Sequence, residues 1–379
     1  MRAFSQAPLV LLLLVGSFPA DARTLVVESG ESIQAVVDAA APGDKIEVRA
    51  GTYSGPGGLA LVTVRTSGLK LSATRSAVID AHGYRYGILI GEDAPIVPEG
   101  CPPLTIRGFE LSGFTIKGAG HTGLRLEGVD GFKIRGGVYL DNHEYGVFPI
   151  CSSHGLVAGI YAAGHDDAAI YVGDSSHVVV EKNAVTTSAI GVEIENSTYA
   201  IVRTNQLFGN TAGLLVVVLP GLPLPFTDHV RIERNSIIGN NFPNPVAADS
   251  GDDVGTIPTG SGILNVGGDH VSIERNVILG NDSFGVATIA SPFVRADSRI
   301  DPFVDDQTVK KNVILLNGQD PDPLRAATPG ADIVFIPDLV DFATGTLIQP
   351  DPDPSDNCYG DNRFYTDFPT DATGALACP

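Results

Sequence analysis

A short pattern returns along this chain at a nearly fixed interval, and that interval limits the possible folds more than any other feature. Gly123-Leu124-Arg125-Leu126, Gly146-Val147-Phe148, Ala169-Ile170-Tyr171-Val172, Gly191-Val192-Glu193-Ile194 and Gly213-Leu214-Leu215-Val216 each open on a small residue, and the openings lie 23, 23, 22 and 22 positions apart. A unit of that length cannot bury its own apolar face and must stack on a neighbour, which is the signature of a solenoid. Leucine-rich repeats and parallel β-helices share the period. Residues 174–195 decide between them: they are rich in Val and Ile, are broken by Gly, Ser and Asn, and hold no run of helix formers long enough for a helical turn and a half. The expected fold is all-β, with each coil making three short strands stacked about 4.8 Å from the next coil. An Asn recurs too, at Asn183, Asn205, Asn235, Asn276 and Asn312. Stacked turn asparagines can bond amide to amide from coil to coil.

The ends of the chain read differently. Residues 1–22 hold one Arg, an apolar run over 9–15 and a small-x-small site at Ala20-Asp21-Ala22. This is the pattern of a secretory signal peptide cleaved near Ala22, with an apolar run too short to span a bilayer. The expected location is periplasmic or secreted, without membrane insertion. Four cysteines in such a compartment imply disulfides. Proximity pairs Cys358 with Cys378 and leaves Cys101 with Cys151. Residues 23–317 are expected to form the solenoid, with an amphipathic helix near 30–41 capped by Ser29 or Ser32. That helix puts Ile33, Val36, Val37 and Ala40 on one face and plugs the first coil. Residues 318–379, rich in Pro and Asp, are expected to be an irregular C-terminal cap. The net charge of −20 argues against a nucleic-acid partner and suits recruitment of Ca²⁺ by carboxylates, or simply solubility. Asn196-Ser197-Thr198 has the form of a glycosylation sequon.

Ser32-Ile33-Gln34-Ala35, Pro42-Gly43-Asp44-Lys45-Ile46 and Gly51-Thr52-Tyr53 resemble the opening of right-handed parallel β-helix proteins of the pectate-lyase-like superfamily. Residues 168–175 and 191–197 resemble, more closely, the core of exported bacterial parallel β-helix repeat proteins of unsettled activity. The resemblance implies a right-handed coil. It also implies the superfamily's chemistry, mostly that of polysaccharide lyases, hydrolases and epimerases, with one branch assisting copper-site maturation in a metalloenzyme. The Asp-Pro-His-Asp signature of mannuronan epimerases is absent. So is a pectate-lyase set of Ca²⁺ carboxylates followed by a catalytic Arg.

The register alone places side chains. If Leu124, Val147, Ile170, Val192 and Leu214 point inward, the alternation of a strand sends their successors outward. One outer column is then Arg125, Phe148, Tyr171, Glu193 and Leu215. The other is Glu127, Ile150, Gly173, Glu195 and Val217. Tyr171 and Phe148 become a stacking floor for sugar C–H faces, with Arg125 and Glu127 as further substrate-binding residues below. Glu193 and Glu195 are the acid/base candidates. Carboxylates two residues apart on a strand are separated by about 6.6 Å along it, near the lower edge for inverting glycosidases. Solvent-facing Glu is also ordinary on strands, and only a raised pKa in a cleft would mark a proton donor.

Two insertions, residues 220–226 and 241–259, leave the solenoid near this pair and are expected to wall a groove. They would also cover the apolar outer pairs Leu215/Val217 and Leu264/Val266, unless a partner protein does so. His143, Asp166 and Asp167 fall at similar places in successive coils, which makes them the candidate site for Ca²⁺ or copper; exposed turn residues are the alternative. Two functions stay open. One is an exported carbohydrate-active or carbohydrate-binding protein acting on a polysaccharide as hydrolase, lyase or epimerase. The other is a non-catalytic exported scaffold that binds a partner protein or metal enzyme through the outer stripe. A groove holding Tyr171 and a carboxyl of raised pKa would favour the first, and a flat stripe the second.

Overall fold

A computed structural model describes residues 22–293, 297–326, 328–341 and 344–378. The signal-peptide reading of residues 1–22 therefore lies almost wholly outside the described residues.

Three parallel sheets, of twelve, eleven and ten strands, run the length of the molecule. Each interior coil gives one strand to each sheet. The inward column follows from the repeat: Leu124 pairs in register with Val147, Val147 with Ile170, Ile170 with Val192 and Val192 with Leu214. All five are fully buried in one continuous core that extends through Ile263, Val286 and Ile333. Strands this short persist because every interior strand is bonded on both edges and buries its inner face. The architecture is a parallel β-helix.

Stacked amides line two interior columns. From Asn183 the side-chain Nδ2 donates to Asn205 Oδ1, and the pattern repeats through Asn235, Asn276 and Asn312 to Asn362, each at 3.0 Å. A second column, which the first set of asparagines did not reveal, runs Asn210, Asn240, Asn281, Asn317. It ends on Asp332, whose Oδ1 accepts from Asn317 Nδ2 at 2.9 Å and whose Oδ2 accepts from Tyr365 N at 2.9 Å. These bonds satisfy amides that would otherwise be buried unpaired.

The helix Ile33–Asp38 plugs the first coil, shorter than the span 30–41. Ser32 caps it by accepting from Ala35 N at 3.2 Å, while Ile33 and Val37 are buried and Val36 and Ala40 half-buried against the core. The solenoid does not stop at residue 317. Ala331–Ile336 pairs with Phe284–Ile289, Cys358–Gly360 with Thr308–Lys310, and Asp367–Phe368 with Ala331–Ile336. The Pro- and Asp-rich tail thus supplies further rungs, where an irregular cap was expected; Pro321, Pro323, Pro329, Pro337, Pro350, Pro352 and Pro354 fall between its strands. Cys358 is bonded to Cys378 and Cys101 to Cys151, as expected from their spacing. No helix among the described residues is long and apolar enough to cross a membrane.

Candidate functional site

On the outer face of the eleven-stranded sheet, Tyr171, Glu193, Leu215, Leu264, Ala287 and Val334 stand in register on six successive strands. Beside them run Gly173, Glu195, Val217, Val266, Ile289 and Ile336. These columns floor a cleft of about 890 Å³ whose lining includes Tyr145, Tyr171, Asp167, Glu193 and Glu195. One end of the floor is acidic and aromatic. The other is aliphatic.

The acidic end is shaped by a missing side chain. Gly173 lies under Glu195 in the column, and a Cβ there would sit 2.3 Å from Tyr171 Cε1. With glycine in place, the Tyr171 ring leans across and its hydroxyl donates to Glu195 Oε1 in the next rung. Tyr171 packs edge-on against Phe148 with centroids 4.4 Å apart, and Tyr145 completes the cluster at 4.6 Å from Phe148 and 5.0 Å from Tyr171.

Burial changes the acidity of this group. It holds Glu193 well above the ordinary carboxylate range, with Asp167 and Glu195 adding repulsion. Glu195 is raised by the same burial, which the Tyr171 hydrogen bond partly offsets. Asp167 is raised by burial, offset by the Tyr145 phenol beside it, and its Oδ1 has no hydrogen-bond partner among the described residues. All three therefore hold protons to higher pH than a solvated carboxyl does.

The wall comes from residues 241–259. Asn244 Nδ2 donates to Val254 O at 2.8 Å and to Ile257 O at 3.0 Å, closing the insertion on itself. Arg325 fastens it through Gly255 O at 2.8 Å and Val246 O at 3.0 Å, and pairs with Asp322 at 3.1 Å. Asp252 and Asp253 reach the cleft from this wall. Residues 220–226 do not wall the Glu pair, contrary to the expectation; only the preceding Leu219 touches the cleft. Their backbone is bonded instead to Asp174 and Asn196. Asn196, the sequon asparagine, is fully buried with its Nδ2 donating to Leu219 O and Leu224 O, so it is no acceptor for a glycan in the folded protein. The apolar pairs Leu215/Val217 and Leu264/Val266 are buried by the chain itself.

Three of the expected substrate-binding residues lie elsewhere. Phe148, Arg125 and Glu127 face outward from their strands, yet are 5%, 6% and 2% exposed and do not line the cleft. Arg125 bonds Glu127 at 2.7 Å and lies 5.0 Å from the Phe148 centroid, while Ala94 N donates to Glu127 Oε1 at 2.8 Å. The segment carrying Ala94 and Cys101 covers them, and the Cys101–Cys151 bond pins it. The metal candidates also part. His143 and Asp166 are exposed and 3.4 Å apart, whereas Asp167 is turned inward to Tyr145. His165 is an interior residue in the second amide column, kept neutral by burial that lowers it to about 4. Among the described residues the convergent metal-type group is a different one, Asp228, His229 and His270.

A family model described as the right-handed beta helix region matches residues 68–219. The A-module of mannuronan C-5 epimerase AlgE4 from Azotobacter vinelandii superposes with a TM-score of 0.51 at 14% identity, covering 87% of this chain and 90% of that one. A mutant DFA-IIIase from Arthrobacter chlorophenolicus A6, in complex with DFA-III, superposes with a TM-score of 0.50 at 13% identity, covering 89% and 87%. At these identities the likeness establishes the fold alone. No curated protein matches by sequence. Fold and site together define an all-β solenoid with a cleft on one sheet face. The chain is a right-handed parallel β-helix protein.

Proposed function

We propose that the cleft binds a neutral oligosaccharide or polysaccharide and hydrolyses it outside the cytoplasm. The observation that carries this reading is a cleft in which Glu193 and Glu195 are buried beside Tyr171 with raised pKa values. Glu193, whose charged form no hydrogen bond among the described residues supports, is the proton donor to the leaving oxygen. Glu195 ionises first, because the Tyr171 hydroxyl supports its charge, and it activates water. Two carboxyls whose surroundings push their acidities apart are what acid/base hydrolysis of a glycoside requires. Tyr145 and Tyr171 offer ring surface to the sugar.

Charge selects the substrate. Among the described residues, eight carboxyl side chains line the cleft against one arginine and one histidine, and that arginine is engaged by Asp322 and two backbone carbonyls. Elimination or epimerisation at a uronate needs a cation on the sugar carboxylate, and Arg125, the residue expected to supply it, is paired with Glu127 away from the cleft. A fold neighbour acting by name on mannuronan supports a carbohydrate ligand; the charge here supports an uncharged one. Ca²⁺ drawn to the acidic end would matter only for an acidic glycan. The two disulfides support an oxidising compartment.

The test is a glycan panel, neutral and uronic, read for binding and for new reducing ends, with EDTA and with CaCl₂. Neutral glycan turned over by the wild type, and lost in Glu193→Gln and Glu195→Gln with binding retained, is the expected result. Turnover unchanged in both variants removes the assignment. Cleavage confined to uronic glycans with CaCl₂ would replace hydrolysis with elimination.

A further inference from the structure

A column of rings stands on the outside of the solenoid, at the turn that leads into the twelve-stranded sheet. Asp130, Ser153, Ser176, Thr198, Asp228 and Asp269 lie in register there, one per coil. Four of the next residues are histidines and one is a tyrosine: His154, His177, Tyr199, His229 and His270. All five have left-handed backbone, with φ between 48° and 57°. Their rings stack at centroid spacings of 5.1, 4.9, 4.9 and 4.5 Å. Stacking alone accounts for a ladder; it does not account for what happens at its C-terminal end.

There an aspartate column and a histidine column coincide on two adjacent rungs. His229 Nδ1 lies 2.7 Å from Asp228 Oδ2, and His270 Nδ1 lies 2.8 Å from Asp228 Oδ1. The other nitrogen of His270 is 3.2 Å from Asp306 Oδ2. His270 thus lies between two carboxylates, one at each ring nitrogen. Carboxylates on both sides of the ring favour a positive charge at this end of the ladder. His229 turns a second ring nitrogen to the same carboxylate from a nearly parallel ring, 18° away.

We propose that Asp228, His229 and His270 bind one divalent transition cation of the zinc or copper kind, with Asp306 orienting His270. The ligand atoms of the three residues already lie within 4.8 Å of one another. Bond lengths of about 2.0–2.2 Å are reached by small rotations of half-exposed side chains. Two imidazoles and one carboxylate suit Zn²⁺ or Cu²⁺, whereas Ca²⁺ takes oxygen ligands. The ion would clip the beginning of one coil to the beginning of the next. The coil between them carries the 241–259 insertion that walls the cleft. Nothing in the hydrolytic reading depends on it.

The measurement is metal uptake by tag-free protein stripped with EDTA, by equilibrium dialysis and calorimetry, using ZnSO₄, CuSO₄ or CaCl₂. One Zn²⁺ or Cu²⁺ per chain is expected, with no matching Ca²⁺ site. His229→Phe and His270→Phe keep a ring in the stack while removing a ligand, and each should weaken uptake at least ten-fold. Asp306→Asn should weaken it by about ten-fold, as loss of an orienting carboxylate does. His154→Phe, which removes a more exposed imidazole of the same ladder paired with Asp130, should leave it unchanged. With Cu²⁺, nitrogen hyperfine structure in the EPR spectrum should report two imidazoles, and one after His270→Phe. No stoichiometric uptake by the wild type, or an equal loss in His154→Phe, overturns the site.

Discussion

Replacing Tyr171 with phenylalanine isolates one hydroxyl at the centre of the cleft. The ring keeps its place over Gly173 and against Phe148, so packing is nearly conserved, while Glu195 loses the donor that steadies its charge. A hydrogen bond to a charged group contributes about 1.5–3 kcal/mol. At about 1.4 kcal/mol per pH unit, that moves the Glu195 titration upward by about one to two units. The direction is fixed, because burial already raises this carboxyl and the phenol opposes it. Infrared or NMR titration of ¹³C-labelled glutamate reads the change without any substrate, with Glu195→Gln assigning the band. If Glu195 also activates water, the acid limb of kcat/KM should move up by the same amount, and activity well below that limb should fall about 10- to 100-fold. A Glu195 titration that stays in place or moves down refutes the argument for the Tyr171 bond. A titration that moves while the pH profile does not refutes only the catalytic role.

Two further outcomes follow from burial. Glu193, Glu195 and Asp167 all have raised pKa values in the folded chain, so above about pH 4 the folded state binds protons that the unfolded chain has released. Their contribution to stability is complete below that pH and is lost as pH rises through the folded values. The melting temperature should therefore fall from pH 5 to pH 8, and Glu193→Gln with Glu195→Gln should flatten the slope; a rise over that range contradicts the account. Asn235→Ala removes the acceptor for both Asn205 N and Asn205 Nδ2, each bonded at 3.0 Å. Two buried donors left unsatisfied at about 1–3 kcal/mol each give a loss of about 2–6 kcal/mol in urea unfolding, and a loss under about 1 kcal/mol would show that water enters the column.

The period announced the stack and the parity of every residue on it, because stacking in register turns sequence interval into spatial adjacency. Tyr171, Glu193 and Glu195 were therefore legible as neighbours on one face. Exposure was not legible. Arg125, Phe148 and Glu127 obey the same parity, but a non-repeating segment fastened by Cys101 lies over them. Asp252 and Asp253 came from an insertion with no period to place it. Asp167 and Tyr145 sit at strand entrances, where the turn rather than the alternation aims the side chain. The second amide column had a signal that went unread: Asn210, Asn240, Asn281 and Asn317 follow five residues after Asn205, Asn235, Asn276 and Asn312.

That second column has a direction. Each amide passes an N–H to the oxygen of the next, and the last recipient, Asp332, accepts on both oxygens. A repeating fold is a template at its open end, and another molecule could add to it as another rung would. Here the final link accepts on both oxygens and is closed by Tyr365 N, so this column of amides ends at Asp332, one rung before the eleven-stranded sheet does at Asp367–Phe368.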